Sequence, residues 1–349
     1  MIKIVHFQLF GQLTGVQRVC LDELRLLNTQ FKYSLLLKEA GPFAMAARAL
    51  DVDVKTLPKL KREICLGDLY RLIEIFYFLK QNNFDVIHTH SSKPGLLGRV
   101  AGKLAGLKTI HTVHGFGFPG CNWLGKIFVY IGEFIASRFT DILIVMNTDD
   151  RMFANKWLLI PDYKIKLIYN AAFSDRLIPI EVIPQKYSSD FHFIFIGRLD
   201  RQKSVGNIFE FMEKLENKYL LEVVGEKTID NLDFISSEHV EFLGWIDNPC
   251  QMYEKNIIYI SLSSYEGCPL SVIEALCCGA ACILSKISGH KVFFDEFPEA
   301  VFSGDTFELH TFTEEIMRLD RHRLALKARS FFSDLQRTKS IKTIYKSLC

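Results

Sequence analysis

Two glutamates and a proline in residues 258–285 have the types and spacing of a ligand site. An apolar run at residues 257–260 predicts a buried strand, a loop follows, and Pro269 opens a helical pattern. A helix N-terminus after such a loop favours anions, because free N–H groups and the positive end of the helix dipole face the ligand. Glu266 and Glu274 flank this position, and carboxylates accept hydrogen bonds from hydroxyls. The segment therefore predicts a site for a phosphate between hydroxyl-rich groups, which describes a nucleotide-sugar.

A second charged pair, Arg198 and Lys203, follows the strand predicted at residues 191–196. A guanidinium and an ammonium group five residues apart at a strand end can both reach a diphosphate. Solvated surface charge is the alternative explanation. The phosphate interpretation is favoured only because Glu266 and Glu274 accompany the pair.

Histidines mark the ends of two strands predicted in the first half, at residues 85–90 and 109–113. Alternating strands and helices predict a parallel sheet covered on both faces, and such sheets bind ligands at the carboxyl ends of their strands. His90, His114 and Gly115 fall at those ends.

A hydrogen-bonded structural role is the simpler explanation for His6, His88 and His111. His114 differs because Gly115 and Gly117 open the backbone beside it. The H-x-H and H-x-x-H spacings could also bind a metal ion.

The length of 349 residues predicts two domains. The nine cysteines follow no disulfide framework and are interpreted as reduced core residues. A zinc site would have to use the four cysteines that lie closest in sequence, and no C-x2-C pair supports it. These are Cys268, Cys277, Cys278 and Cys282.

Charge is divided unevenly along the chain. Residues 1–177 hold 23 Lys and Arg against 15 Asp and Glu, a net charge of +8, whereas residues 178–349 hold 19 against 25, a net charge of −6. The basic half is therefore expected to face an anionic partner. The first residues predict a strand and lack the regions of a signal peptide, and no apolar run approaches the roughly 18 residues of a membrane span.

The string EGCPLSVIEALCCG at residues 266–279 resembles the EGxPxxxxEAxxxG motif of family 4 glycosyltransferases. Residues 197–204 resemble the GRLxxxKG phosphate element of that family, with Ser204 in place of glycine. The histidine-rich runs at residues 88–99 and 111–118 resemble members that build bacterial capsule, exopolysaccharide and O-antigen.

This resemblance implies an α/β protein of the GT-B fold, with two facing Rossmann-like parallel-sheet domains and an interdomain cleft. The acceptor-side domain is expected at residues 1–177, a linker at 178–190 and the nucleotide-sugar domain at 191–325. A C-terminal helix at 326–349 is expected to cross back to the first domain and to place Tyr345 against it.

The resemblance also assigns roles to single residues. The expected catalytic residues are His114, Arg198, Lys203 and Glu266. The expected donor-binding residues are Gly197, Arg198, Lys203, Gly244, Glu266, Gly267, Cys268, Pro269, Leu270 and Glu274. The expected acceptor and cleft residues are Gly15, Gln17, His90, His114, Gly115 and Asn170.

The implied activity is retaining transfer of a hexose or N-acetylhexosamine from a UDP-sugar to a polyprenyl-diphosphate-linked saccharide in bacterial surface polysaccharide synthesis. Neither a metal nor any other cofactor is expected. The alternatives are a UDP-sugar epimerase of the same architecture and a non-catalytic sugar-nucleotide-binding subunit. Incubation with UDP-sugar alone distinguishes the epimerase, which needs no acceptor.

The lipid-linked acceptor implies a cytoplasmic enzyme, peripheral on the inner face of the cytoplasmic membrane. An anionic membrane surface is an expected partner and nucleic acid is not. The aromatic segment at residues 116–123 is interpreted as a loop leading to a core helix, with insertion into the membrane interface as the alternative.

Overall fold

The computed structural model describes residues 1–61, 65, 67–116, 123–216, 218–226 and 239–348. The chain divides into two compact units. The first comprises Met1–Tyr169 and Leu335–Cys349, and the second comprises Asn170–Asp334.

The first unit is built on a parallel seven-stranded sheet. Its strands are β1 (Lys3–Phe7), β2 (Lys32–Leu37), β3 (Asp53–Thr56), β4 (Val86–His90), β5 (Lys108–Thr112), β6 (Ile142–Val145) and β7 (Ile165–Leu167), in the order β3-β2-β1-β4-β5-β6-β7. Its helices are α1 (Gly15–Leu27), α2 (Pro42–Arg48), α3 (Asp68–Asn82), α4 (Ser92–Leu104), α5 (Trp123–Ser137) and α6 (Thr148–Lys156). The central strands carry fully buried apolar side chains on both faces, as expected for a parallel sheet covered by helices.

The second unit contains a parallel six-stranded sheet. Its strands are β8 (His192–Ile196), β9 (Leu221–Val224), β10 (Val240–Gly244), β11 (Ile257–Ser261), β12 (Cys282–Leu284) and β13 (Val301–Ser303), in the order β10-β9-β8-β11-β12-β13. Its helices are α7 (Val205–Lys214), α8 (Leu270–Cys277), α9 (Lys291–Glu296), α10 (Leu309–Arg318) and α11 (Arg321–Phe331). The last helix, α12 (Asp334–Leu348), begins at the end of this unit.

The key predicted strand and helix are confirmed to within one or two residues. The strand predicted at residues 257–260 is β11, and the helix predicted from Pro269 is α8. Pro269 is the N-cap residue, with φ −69° and ψ 130°, so the helix begins one residue later. It ends before Gly279, whose φ of +69° favours glycine after a helix.

The observed unit boundaries differ from the expected domain boundaries. Residues 178–190, expected as a linker, lie within the second unit. The physical reason is that Ile178, Ile183 and Tyr187 are buried there. Two prolines and a lack of periodicity therefore mark an irregular but packed segment.

The C-terminal segment is two helices where the sequence predicts one element at residues 326–349. Helix α11 belongs to the second unit, and the first unit resumes at Leu335 within α12. Ile341, Ile344 and Tyr345 of α12 are buried in the apolar core that covers one face of the first sheet. The last helix therefore completes that core.

Within the described ranges, none of the helices has both the length and the apolar character needed to cross a membrane.

Candidate functional site

The loops after β8 and β11 bring the predicted cation and carboxylate together. These strands are parallel neighbours, so the loops leave the same edge of the sheet. Lys203 Nζ lies 2.7 Å from Glu266 Oε1, and both side chains are largely buried. The carboxylate therefore holds the ammonium group in one position within a partly desolvated site.

Gln202 joins the same two loops, although the sequence does not single it out. Its Nε2 donates to the carbonyl oxygen of Tyr265 at 3.0 Å, and its own carbonyl accepts from the backbone N–H of Ser264 at 2.8 Å. The hydroxyls of Ser204 and Ser264 lie 2.5 Å apart. These contacts position Lys203 against its partner.

Ser204 occupies the position at which the resembled motif has glycine. Its φ is +48° and its ψ is +47°, in the left-handed region that glycine adopts most readily. The requirement for this backbone conformation explains the glycine of the motif, and this chain meets it with serine.

Arg198 lies at the same edge but is about half exposed. Its Nη2 is 3.1 Å from Asp200 Oδ2. The guanidinium is therefore oriented by a neighbouring carboxylate while part of its surface stays accessible to a ligand.

Three glycines at neighbouring strand ends pack backbone against backbone. A Cβ at Gly225 would lie 1.9 Å from the carbonyl oxygen of Gly197, and Gly225 has a φ of +145°. Its N–H donates to the carbonyl oxygen of Gly244 at 2.8 Å. The expected donor residues Gly197 and Gly244 are therefore brought together through Gly225, which the sequence places only at the end of a strand.

The N-terminal end of α8 is packed into the second unit. Gly267, Cys268 and Pro269 are buried, and Leu270 is half-buried. Asn170 Nδ2 donates to the carbonyl oxygen of Cys268 at 2.6 Å. Asn170, expected on the acceptor side, thus lies in the second unit and supports the loop before α8.

Glu274 lies inside α8 and is nearly fully buried. Arg176 Nη1 lies 4.0 Å from its Oε1 atom. The sequence did not indicate Arg176, because it lies 98 positions from Glu274 and in no recognised motif. Gly289 is also missed by sequence reasoning, since a Cβ there would lie 2.4 Å from the carbonyl oxygen of Glu266.

In the first unit, the predicted strand-end histidines form a hydrogen-bonded chain. His114 Nε2 lies 3.1 Å from His90 Nδ1, and His90 Nε2 lies 3.0 Å from His6 Nδ1. Strands β1, β4 and β5 are adjacent, which explains how residues far apart in sequence meet. Gly115, with φ +95°, turns the chain sharply after His114.

The inner end of this chain is closed by α12. Tyr345 Oη lies 3.3 Å from His6 Nε2 and 2.7 Å from His88 Nδ1, and it donates to Glu23 Oε1 at 2.5 Å. His88 Nε2 is satisfied by the Thr112 hydroxyl at 2.7 Å, in keeping with its expected structural role.

Desolvation favours the neutral form of the histidines in this chain. Desolvation lowers the pKa of His6 to about 3, and desolvation with the charge of Arg337 lowers the pKa of His114 to about 3. Desolvation also lowers the pKa of His90. Burial raises the pKa of Glu23, while Arg337 and the hydrogen bond from Tyr345 act in the opposite direction.

The two cleft residues expected near the start of α1, Gly15 and Gln17, differ in exposure. Gly15 is exposed as the first residue of α1. Gln17 is buried, its Nε2 donates to Gln8 Oε1 at 2.9 Å, and its Oε1 accepts from the Thr14 hydroxyl. Because both the nitrogen and the oxygen of its amide are hydrogen-bonded within the protein, the Gln17 side chain stabilises the loop before α1.

Residues 117–122 of the aromatic segment, including Gly117, lie outside the described residues. At the ends of that segment, Phe116 is buried and Trp123 is exposed.

Two buried groups have distances that could hold a metal ion: His6, Cys20 and His90, and His6, Glu23 and His88. In the first group, the 3.0 Å between the His6 and His90 nitrogens is a hydrogen-bond distance. Two nitrogen ligands at about 2.0 Å from a tetrahedral zinc ion would be about 3.3 Å apart. The observed spacing is that of a hydrogen bond, and it lies within about 0.3 Å of the spacing of two zinc ligands.

Comparisons with known proteins agree with this geometry. A model of Glycosyltransferase Family 4 matches residues 13–176, and a model of glycosyl transferases group 1 matches residues 180–321. The chain is 32% identical to the UDP-Gal:alpha-D-GlcNAc-diphosphoundecaprenol alpha-1,3-galactosyltransferase of Escherichia coli, over 99% of this chain and 96% of that protein. It is 25% identical to the Escherichia coli O-antigen biosynthesis glycosyltransferase WbnH, over 80% of each.

The fold is similar to that of a solved structure. The crystal structure of Anabaena HepE in complex with UDP and glucose gives a TM-score of 0.78 at 16% identity, over 99% of this chain and 100% of that chain. Two parallel α/β units with this likeness define a GT-B protein. The chain belongs to the family 4 glycosyltransferases and is an enzyme of that class.

We expect catalysis to need no divalent metal ion, because two cations at one sheet edge, Arg198 and Lys203, can supply the charge that a metal would otherwise supply to a diphosphate. Treatment with EDTA, followed by removal of the chelator, should leave the rate of sugar transfer unchanged. Loss of activity that Mg²⁺ or Mn²⁺ restores would contradict this expectation.

Proposed function

We propose that the enzyme transfers a hexose or N-acetylhexosamine, with retention of anomeric configuration, from a UDP-sugar to a polyprenyl-diphosphate-linked saccharide. The observation that supports the assignment of a UDP-sugar donor is the ion pair of Lys203 and Glu266, at the same sheet edge as the accessible Arg198. The names of the galactosyltransferase relative and of the UDP-bound structure support the donor and acceptor classes.

The second unit would stabilise the departing diphosphate. Arg198 and Lys203 meet the negative charge that develops on the leaving group, the kind of term that usually contributes most to catalysis. Glu266 accepts hydrogen bonds from donor-sugar hydroxyls while it holds Lys203. Glu274, inside α8, accepts from the ribose hydroxyls.

The proposed mechanism is front-side attack, with the leaving phosphate as proton acceptor. Glu266 is engaged by Lys203, which disfavours it as a nucleophile. His114, whose pKa is lowered to about 3, binds a proton too weakly to act as an efficient general base near neutral pH. It would instead position the acceptor in the first unit, together with His90 and Gly115.

Transfer should require both substrates. We expect UDP-sugars, beginning with UDP-galactose, to yield a longer lipid-linked saccharide only when GlcNAc-diphosphoundecaprenol or a similar acceptor is present. NMR coupling constants of the product should show the anomeric configuration of the donor. Conversion of UDP-sugar without acceptor would favour the epimerase, and binding without turnover across a broad donor and acceptor panel would favour the non-catalytic subunit.

Removal of the accessible guanidinium should affect turnover. Arg198→Ala should lower kcat by about 100-fold or more, the range for a lost donor to a developing negative charge. Arg201→Ala is the matched control, since Arg201 is a neighbouring exposed arginine, and we expect near-normal kcat. Near-normal turnover in Arg198→Ala would refute the diphosphate assignment.

We further propose that the first unit binds an anionic membrane surface. Helix α5 exposes an apolar row on one face, formed by Trp123, Ile127, Phe128, Ile131 and Ile135. Helix α3 exposes a second row, formed by Leu69, Tyr70, Ile73 and Tyr77. Both helices pack against α4, so the two rows flank one helix of a basic half-chain. Exposed apolar patches of this kind mark protein or membrane interaction sites.

Sedimentation with liposomes tests this surface. Binding to anionic liposomes should exceed binding to neutral ones and weaken with salt, because each nearby Lys or Arg contributes about 1 kcal/mol that is screened beyond about 8 Å. Phe128→Glu in α5 should reduce binding, whereas Leu326→Glu, at an exposed position of α11, should not. Absence of binding at low salt would favour a soluble acceptor.

A further inference from the structure

The hydrogen bonds that end at His114 pass through a different nitrogen of each ring. His114 uses Nε2 toward His90, His90 uses Nδ1 outward and Nε2 inward, and His6 uses Nδ1 outward and Nε2 toward Tyr345. In a neutral imidazole one nitrogen donates and the other accepts. The tautomer of each ring therefore determines the tautomer of the next.

The direction of donation along the histidine chain is set at its inner end, by Tyr345 and Glu23. Tyr345 donates its hydroxyl proton to Glu23 Oε1, and an ionised carboxylate can only accept. The phenol oxygen is then an acceptor, and its two lone pairs face His6 Nε2 and His88 Nδ1. Desolvation raises the pKa of Glu23, and the positive charge of Arg337 and the hydrogen bond from Tyr345 act against it, in favour of the ionised form that this arrangement requires.

With one N–H per neutral imidazole ring, only one set of tautomers is consistent with these hydrogen bonds. His6 donates from Nε2 to Tyr345 and accepts at Nδ1 from His90. His90 then accepts at Nδ1 from His114 Nε2. Cys20 Sγ lies 3.4 Å from His6 Nδ1, and donation from its weak S–H would leave this direction unchanged.

The inner part of the hydrogen-bonded histidine chain is shielded from water, whereas its outer end at His114 is not. His6, His90 and Tyr345 have at most 2% of their surface exposed, so water does not compete for their hydrogen bonds. His114 is only partly buried. His114 is bonded through Nε2, and the described part of the chain shows no hydrogen bond to its Nδ1 atom, which leaves that nitrogen for a ligand.

We propose that Tyr345 and Glu23 are positioning residues that hold His114 as the Nε2–H tautomer, so that its Nδ1 atom accepts a hydrogen bond from a substrate hydroxyl. The inference rests on the proposed function only for the identity of that substrate. It also predicts the selectivity of the acceptor subsite. A hydroxyl that donates a hydrogen bond to Nδ1 is recognised. An ether or carbonyl oxygen at the same position is rejected, because two acceptors would then face each other.

The tautomer can be observed without any substrate. Protein labelled with ¹⁵N-histidine is examined by long-range ¹H–¹⁵N correlation NMR, and the His114 signals are identified by their loss in His114→Gln. We expect the wild-type His114 pattern to be that of a neutral ring protonated on Nε2. A pattern of Nδ1 protonation, or of an imidazolium ring at pH 7, would overturn the proposal.

Two tyrosines of one core provide a matched pair of variants. Tyr345→Phe removes the hydroxyl that orders the chain, so His114 should become a mixture of tautomers and kcat should fall by about fivefold, the factor for one neutral hydrogen bond. Tyr33 packs 6.4 Å from Tyr345, and its hydroxyl has no hydrogen-bond partner in the described part of the chain. Tyr33→Phe should leave both the His114 pattern and kcat unchanged.

A second variant covers the case in which Tyr345→Phe fails to fold. Glu23→Gln keeps the size of the side chain but can donate or accept, so the direction of the chain is no longer enforced and His114 should again show both tautomers. Thermal unfolding measurements identify which variants are folded. An unchanged His114 pattern in every folded variant refutes the proposal. The expected NMR patterns in a protein that transfers no sugar would refute the proposed function and leave this inference intact.

Discussion

Parallel strands in register bring their carboxyl ends to one edge of a sheet, and the candidate residues of both units depend on this constraint. In the second unit it joins the loops after β8 and β11, which carry Lys203 and Glu266. In the first unit it aligns β1, β4 and β5, so that His6, His90 and His114 form one chain. Without the parallel arrangement, none of these contacts between distant segments would form.

The two units use buried polar groups in opposite ways. In the second unit an ammonium group faces a carboxylate, which keeps charge in place for an anionic ligand. In the first unit, desolvation removes the charge of the histidines, and what remains is the direction of their hydrogen bonds. The first arrangement suits electrostatic stabilisation, and the second suits recognition of neutral hydroxyls.

Much of this organisation could be predicted from the sequence, because it depends on local patterns. Apolar runs predict β11 and its neighbours, and the motif around Pro269 predicts α8. Contacts that depend on tertiary packing could not be predicted. The hydrogen bond of Asn170 to Cys268 crosses 98 positions, and the lack of periodicity at residues 178–190 did not reveal that their apolar side chains are buried.

The bond between Tyr345 and His6 joins positions 339 residues apart, and this separation has a consequence for assembly. Ribosomes release the chain from its N-terminus, so β1 and the histidine strands are synthesised long before α12. Until α12 arrives, the core that receives Ile341, Ile344 and Tyr345 is incomplete, and Glu23 lacks its donor. The inner end of the histidine chain thus acquires its order only when α12 docks, which couples the tautomer of His114 to the docking of that helix.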